Sequence, residues 1–388
     1  MKNSNFSKYS NILFPLLLFL SINGLFILKY AERVTSLSYL IVILYVSFAF
    51  VVIYFVHRLI NRYRKLVPVF FYFIMLVIIV GVVLLHMKVD PYALNIDRWS
   101  AIHNFIHNVF QGVYPYSAKT HLDGYGSPFP IWQLFHIPFY FLGNISVALL
   151  FVILLTAYVL VKFTKDKKSS LYFFLLVVIS PAFWYEALAR SDLFYNFLLL
   201  SAILIWINEK KINIGQNALF LGAICGLFLS TRLSVVIPFF IYFLADFLKA
   251  ENKNKLFFLS AIILVFLITF LPLAFWNFDM LLFFEYNPFV LQSRQGSLFE
   301  VITVLIVSVL FALKWNKDFV KYNEYTAYAI IILVIVTFVH RMISSGFSNN
   351  LFSSAYDITY FNMALPFLIF CISYGFNSAS NKKLKEDN

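Results

Sequence analysis

Long apolar runs, separated by short polar or basic clusters, recur along the chain from Asn11 to Phe376. A run of about 20 apolar residues makes a helix that crosses the roughly 30 Å hydrocarbon core of a bilayer. Such runs predict about twelve transmembrane helices, so the expected fold class is an all-α, polytopic helical bundle. The predicted spans are residues 11–28, 37–56, 66–86, 145–163, 169–186, 193–207, 213–230, 233–248, 256–274, 298–313, 326–339 and 359–375.

The stretch 128–143 is apolar but short, and it contains Pro130, His136 and Pro138. It is predicted as a re-entrant or interfacial segment. An additional crossing here would invert every later loop, so the basic residues test the choice. With the amino terminus inside, 21 of the 30 lysines and arginines fall on the cytoplasmic side, as the positive-inside rule requires. We therefore expect a multi-pass protein of the cell (inner) membrane with both termini in the cytoplasm.

Composition agrees with a single integral membrane domain. The chain is 62% hydrophobic and only 12% charged, which is too little polar surface for a soluble globule. The net charge of +12 lies mainly in the inner loops, so membrane lipids are expected as partners and nucleic acid is not. Within the domain we distinguish three amino-terminal spans (1–86), an outer loop (87–143), the remaining spans (144–376) and a cytoplasmic tail (377–388).

The outer loop contains a pattern typical of an amphipathic helix between Asn95 and Gln111. At about 100° per residue, polar and apolar side chains separate onto two sides, and such a helix is expected to lie in the membrane interface. The polar stripe comprises Asp97, Ser100, Asn104, His107, Asn108 and Gln111, and the apolar side comprises Trp99, Ile102, Phe105, Ile106, Val109 and Phe110.

A recognisable order of residues follows in the same loop. Asp97 opens the predicted helix, Gly112-x-x-Pro115-Tyr116 follows it, and Tyr125 then precedes Pro128 and Pro130. This segment resembles the signature loop of GT-C membrane glycosyltransferases, most of all the bacterial enzymes that use polyprenyl-phosphate mannose. The resemblance implies transfer of a hexose, such as mannose, from a polyprenyl-phosphate donor to a glycolipid or glycan acceptor on the outer side. It also implies that Asp97 acts as the base, with inversion at the anomeric carbon.

The chemistry of such a transfer asks for a base and for cations. The base takes a proton from the acceptor hydroxyl, and cations stabilise the departing phosphate. Arg232 and Arg341 are predicted to hold the phosphate, because an arginine near membrane depth is costly unless it is paired or faces a polar cavity. Other predicted substrate-binding residues are His340, Arg190, Asp192, His107, Tyr116 and Tyr125. No metal and no cofactor is expected.

Simpler interpretations exist for each of these residues. Asp97 is also a favourable helix N-cap, and His103 and His107 have the spacing of a metal pair but also suit a wet helix face. Arg190 with Asp192 suits a structural ion pair, Arg232 suits a side chain that extends to the interface, and His340 with Arg341 suits headgroup anchors.

Two other functions are compatible with many spans. A secondary transporter is the first, but the span pattern shows no two-fold repeat and the spans carry almost no mid-membrane carboxylate. A ligase or polymerase of lipid-linked glycans is the second, and it would place its arginines in a late outer loop.

Overall fold

The computed structural model describes residues 4–386 except 295 and 354, with side chains described from residue 12 to residue 376. Within that part of the chain the regular structure is helical, and only an isolated antiparallel bridge joins Lys119 to Tyr125. Lys2, part of the predicted cytoplasmic amino terminus, lies outside the described residues, and no side chain of the predicted tail is described.

The helices follow the apolar windows. In chain order they are α1 (Ser4–Ala31), α2 (Ser38–Arg62), α3 (Val67–Lys88), α4 (Arg98–Phe110), α5 (Pro130–Phe135), α6 (Ile137–Phe141), α7 (Val147–Val159), α8 (Lys167–Val178), α9 (Pro181–Ala189), α10 (Leu193–Glu209), α11 (Ile214–Leu229), α12 (Val236–Lys249), α13 (Asn252–Trp276), α14 (Phe278–Leu282), α15 (Pro288–Ser293), α16 (Leu298–Lys314), α17 (Phe319–Ser345), α18 (Phe347–Leu351) and α19 (Leu365–Glu386). Short 3₁₀ turns lie at Arg64–Leu66, Pro91–Ala93, Pro115–Ser117, Leu233–Val235 and Ile358–Met363, and a π-helical turn lies at Leu160–Thr164.

Each of the predicted windows coincides with helix, although α11 has a kink at Asn217 and the window 169–186 is broken. The window 169–186 contains α8 and α9, which meet at 65°. Pro181 begins the second of these helices, and it cannot supply the backbone N–H that a continuous helix would need. The stretch 128–143 forms the short helices α5 and α6, each too short to cross a bilayer.

Several helices are long enough to cross a membrane. Among the described residues six qualify by length and apolar composition, or up to seven if the α8–α9 pair counts as one span. The six are Ile12–Ala31, Ser38–Arg62, Arg64–Lys88, Val147–Thr164, Asn252–Trp276 and Phe319–Ser345. Shorter apolar helices lie at Leu193–Glu209, Ile214–Leu229 and Leu365–Phe376. The chain therefore has the character of a multi-pass membrane protein, while about twelve crossings remain a prediction.

Contacts divide the chain into two units that alternate along the sequence. The first unit comprises the chain through His86, Thr156–Leu188 and the chain from Lys317 onward. In it α19 packs against α1, α8 and α17, and apolar side chains of α19 such as Phe367 and Leu368 are fully buried. The second unit comprises Met87–Leu155 and Ala189–Asn316, and it contains the predicted outer loop.

Two glycines allow α11 and α13 to approach closely in the second unit. A Cβ at Gly222 would lie 2.4 Å from the Phe258 carbonyl oxygen, and one at Gly226 would lie 2.7 Å from the Ile262 carbonyl oxygen. The two glycines are four residues apart and thus lie on one face of α11. This is the small-xxx-small arrangement that lets helix backbones meet in membranes.

We expect Gly222→Ala to destabilise the protein by roughly 1–3 kcal/mol, because the added methyl group meets a backbone carbonyl that cannot move aside. That strain exceeds the roughly 1 kcal/mol by which alanine favours a helix over glycine. Thermal unfolding in detergent measures the change. Gly296→Ala is the matched control, since a Cβ there meets no atom closer than 3.8 Å. Equal melting temperatures for the two variants would contradict the close α11–α13 contact.

Candidate functional site

Asp97 lies at the start of α4, but its side chain does not cap that helix. The Thr120 hydroxyl donates a hydrogen bond of 2.9 Å to Asp97 Oδ2, while the backbone oxygen of Asp97 accepts from the Ser100 hydroxyl at 2.9 Å. The carboxylate is half-buried. It therefore faces the turn that begins at Thr120 and not the first amides of α4.

The turn from Thr120 to Gly124 is built around the Thr120 hydroxyl. Its oxygen accepts hydrogen bonds from the backbone N–H groups of Leu122 (3.3 Å) and Gly124 (3.1 Å). Asp123 has a left-handed backbone with φ of 57°, a conformation that aspartate tolerates better than most residues. A Cβ at Gly124 would lie 3.0 Å from Asp97 Oδ2. The absence of a side chain at Gly124 thus makes room for the carboxylate.

Asp192 lies in the second unit and is deeply buried, with 1% of its side chain exposed. Its Oδ2 accepts hydrogen bonds from the Arg232 guanidinium and from Trp132 Nε1, the latter at 2.6 Å. Arg98 Nη1 lies 4.0 Å from Asp192 Oδ1 and donates to the Ser191 hydroxyl at 3.0 Å. Burial opposes ionisation of Asp192, but Arg232 and Arg98 outweigh it and hold the pKa of this carboxyl below its usual range.

The turn that bears Arg232 is fixed by backbone hydrogen bonds to the start of α5. Phe129 N donates to Thr231 O and Ile131 N donates to Ser230 O, both at 3.0 Å. Arg232 itself is extended, with φ of −155°, so its side chain leaves the turn toward Asp192. The proline-containing stretch near the end of the outer loop thus positions Arg232, which comes from a distant part of the sequence.

Gln292, in α15, adds a second tie to this turn. Its side-chain oxygen accepts from Leu233 N at 2.7 Å, and its amide nitrogen donates to Ser127 O at 2.9 Å. One side chain therefore holds the residue after Arg232 against the residues that precede α5.

His136 extends the buried polar chain behind Trp132. Its Nδ1 lies 2.7 Å from Trp132 O, and its Nε2 lies 2.7 Å from the Tyr195 hydroxyl. A carbonyl oxygen can only accept, so Nδ1 carries the proton and Nε2 accepts from Tyr195. Burial lowers the pKa of His136 to about 4, so the ring is neutral near pH 7. His136 thus supports Trp132 as a neutral hydrogen-bonding group.

The structure brings Asp97, Asp192 and Arg232 into one part of the second unit, with Arg98 as the link between them. Comparison of the chain with protein-family models, curated proteins and solved structures finds no match. No related protein therefore indicates what this site does, and only its own side chains do.

Arg190 lies in the same unit, and its predicted substrate role stays a prediction. Its backbone is left-handed, with φ of 50°, and its guanidinium donates to Val89 O at 3.0 Å and lies 5.9 Å from the Trp99 ring. Asp192 pairs with Arg232 and approaches Arg98.

The remaining loop residues have specific partners. Tyr116 is 1% exposed and donates to Pro128 O at 2.9 Å, which makes it part of the core of the loop. The Tyr125 hydroxyl donates to Glu285 at 2.6 Å. His107 is exposed and lies 3.2 Å from the Tyr140 hydroxyl. Tyr125 and His107 can reach solutes, whereas Tyr116 cannot.

His340 and Arg341 belong to the first unit, near the end of α17. Both are exposed, and the Arg341 carbonyl oxygen accepts hydrogen bonds from the hydroxyls of Ser344 and Ser345. Their predicted substrate role remains a prediction.

Histidines of α4 have structural partners. His103 stacks on Trp99 with ring centroids 4.7 Å apart, and its Nδ1 lies 3.1 Å from Asn104 Oδ1. In the part of the chain that the structure describes, no group of three or more His, Cys, Asp or Glu side chains could hold a metal ion.

Arg98 and Trp132 are site residues that sequence reasoning did not select. Arg98 stands at the first position of α4, where the helix macrodipole disfavours a cation. A basic residue at the start of a helix is therefore recognisable from the sequence, and it suggests that an acidic side chain from another part of the chain lies nearby. Trp132 carries no such signal, since nothing in an apolar stretch identifies which indole will meet a carboxylate.

Proposed function

We propose that this chain is a GT-C-type glycosyltransferase. It moves a hexose from a polyprenyl-phosphate carrier to a glycolipid or glycan acceptor on the non-cytoplasmic face of the cell membrane. The proposal is supported by the resemblance of the loop from Asp97 to Pro130 and by the membrane-protein character of the chain.

The observation that carries the proposal is a pair of arginines, Arg98 and Arg232, in the same part of the second unit as the half-buried carboxylate of Asp97. Arg232 donates to one acid, Asp192, and Arg98 lies 4.0 Å from the same acid. Asp97, the residue before Arg98, is bound by a neutral threonine hydroxyl. A base and cations are what the transfer of a sugar from a phosphate requires.

The reaction assigns a role to each group. The acceptor hydroxyl gives its proton to Asp97, and its oxygen bonds to the anomeric carbon of the hexose. The bond from that carbon to the phosphate oxygen breaks, and the electron pair stays on the departing polyprenyl phosphate. Arg98 and Arg232 balance the additional negative charge on this phosphate. Thr120 holds Asp97 Oδ2, so Oδ1 is the oxygen that takes the proton.

A donor comparison tests the proposal. Purified protein in detergent is given labelled mannose either as polyprenyl-phosphate mannose or as a nucleotide sugar, together with a membrane glycolipid extract. We expect label to move to the acceptor only from the lipid-linked donor. Transfer from the nucleotide sugar would contradict the proposal. Flux of labelled sugar across sealed vesicles without any transfer would favour a transporter.

A further inference from the structure

The turn that holds the Asp97 carboxylate belongs to a short hairpin. Lys119 and Tyr125 form an isolated antiparallel bridge at its open end. Inside that bridge Thr120 N donates to Gly124 O at 2.8 Å. A two-stranded hairpin of this size is at best marginally stable in water without contacts to other elements. The position of the carboxylate therefore depends on what holds the hairpin from outside.

Helix α4 holds the first half of the hairpin. Asn104 Nδ2 donates to Lys119 O at 2.8 Å, and the backbone N–H of His121 donates to the Ser100 hydroxyl at 3.2 Å. Ser100 and Asn104 both belong to α4, the helix that Asp97 immediately precedes. These contacts fix residues 119–121 relative to the start of the helix. The second half of the hairpin ends at a residue with a different partner.

Tyr125 connects this second half to a distant part of the same unit. Its hydroxyl donates to Glu285 Oε1 at 2.6 Å, a length typical of a hydrogen bond to a carboxylate. The Tyr125 ring also packs edge-to-face against Tyr286, with ring centroids 5.4 Å apart. The hydrogen bond to Glu285 raises the pKa of Tyr125, so this hydroxyl keeps its proton and remains a donor.

The connection between α14 and α15 that carries Glu285 is itself fixed. Asn287 is only 7% exposed, and its Nδ2 donates to Leu282 O at 2.7 Å. Its Oδ1 accepts from Phe289 N at 2.9 Å, at the start of α15. Tyr286 is buried as well. Glu285 is therefore an exposed carboxylate between two anchored neighbours, which suits it to hold a loop residue in place.

We propose that Tyr125 and Glu285 are positioning residues for the glycosyl transfer, an inference that rests on the proposed function. Tyr125 directly follows Gly124, where an added Cβ would lie 3.0 Å from Asp97 Oδ2. By holding Tyr125, Glu285 keeps the hairpin closed and keeps the Thr120 hydroxyl against the carboxylate. Neither side chain takes the proton. Their loss displaces the base without removing it.

Transfer from polyprenyl-phosphate mannose by the purified full-length protein tests this role. We expect Tyr125→Phe and Glu285→Ala each to lower kcat about 3- to 30-fold, because small displacements of a reacting group slow a reaction steeply. KM for the donor and apparent KM for the acceptor extract should not change. The double variant should be no slower than either single one, because both substitutions remove the same hydrogen bond. Glu285→Gln should restore most of the rate, since its amide oxygen still accepts from Tyr125.

Asp279→Ala is the matched control. It also removes an exposed carboxylate from the segment between α13 and α15, and it should transfer sugar at the wild-type rate. Hydrogen exchange adds a readout that does not depend on transfer. The amides of Leu122 and Gly124 donate to the Thr120 hydroxyl, and they should exchange faster in Tyr125→Phe and Glu285→Ala than in the control.

The outcomes separate this inference from the proposed function. A wild-type protein that transfers no sugar contradicts the proposed function itself. If the wild type transfers sugar, an unchanged kcat in Tyr125→Phe and Glu285→Ala overturns the positioning role, even where amide exchange is faster. A raised apparent KM for the acceptor also overturns it, because the pair would then contact the substrate directly.

Discussion

Replacing Asp192 with asparagine is expected to lower the free energy of unfolding by about 3–5 kcal/mol, because breaking a buried ion pair leaves an uncompensated charge behind. Arg232 has only 10% of its side chain exposed, so it cannot exchange its partner for water. Arg98 also loses the acid that lies nearest to it. Thermal and denaturant unfolding in detergent should both report the loss.

Asp123→Asn is the matched control, since this aspartate is exposed and asparagine adopts its left-handed backbone without difficulty. A double-mutant cycle identifies the cause of the loss. On an Arg232→Met background, Asp192→Asn should cost much less, because the main buried cation has already been removed. Additive losses would show that Asp192 stabilises the fold by something other than its pairing with Arg232.

The helices were predictable because hydrophobic length alone specifies them. Windows such as 37–56 and 256–274 are almost wholly apolar; α2 extends beyond its window at the carboxyl end, and α13 extends beyond its window at both ends. The break between α8 and α9 was less accessible, since the apolar character continues through Pro181. The division into two units could not be read from the sequence. It depends on packing between segments far apart in the chain, such as α1 with α19.

The sequence nominates candidate site residues but not their arrangement. Asp97, Asp192 and Arg232 could be chosen because charged groups are rare in an apolar chain and need partners. Which of these residues contact each other could not be predicted, because several different acid–base pairings would neutralise the same charges. Tyr116 shows that a residue type alone does not establish a role in binding. A tyrosine in a polar loop suggests a sugar contact, yet this ring is enclosed by its own loop.

Asp97→Asn is expected to reduce the turnover of labelled sugar transfer by about 10²–10⁴-fold, the contribution of a positioned general base. Asparagine has the same shape and can still accept the hydrogen bond from Thr120, so the fold and the melting temperature should not change. The affinity for the donor should also change little, because Arg98 and Arg232, which are proposed to hold its phosphate, remain in place. Single-turnover and steady-state rates with polyprenyl-phosphate mannose separate these effects.

Two further substitutions test whether position as well as charge matters at Asp97. Thr120→Val removes the hydroxyl that holds Oδ2, and Gly124→Ala places a methyl group about 3.0 Å from the same oxygen. Both keep the carboxylate, so each should slow transfer less than Asp97→Asn does while leaving donor affinity intact. If Asp97→Asn transfers sugar as fast as the wild type, the base lies elsewhere, and the arginine pair then has no catalytic carboxylate beside it. If only Thr120→Val and Gly124→Ala are slow, the turn shapes the acceptor site and Asp97 serves that shape instead of taking the proton.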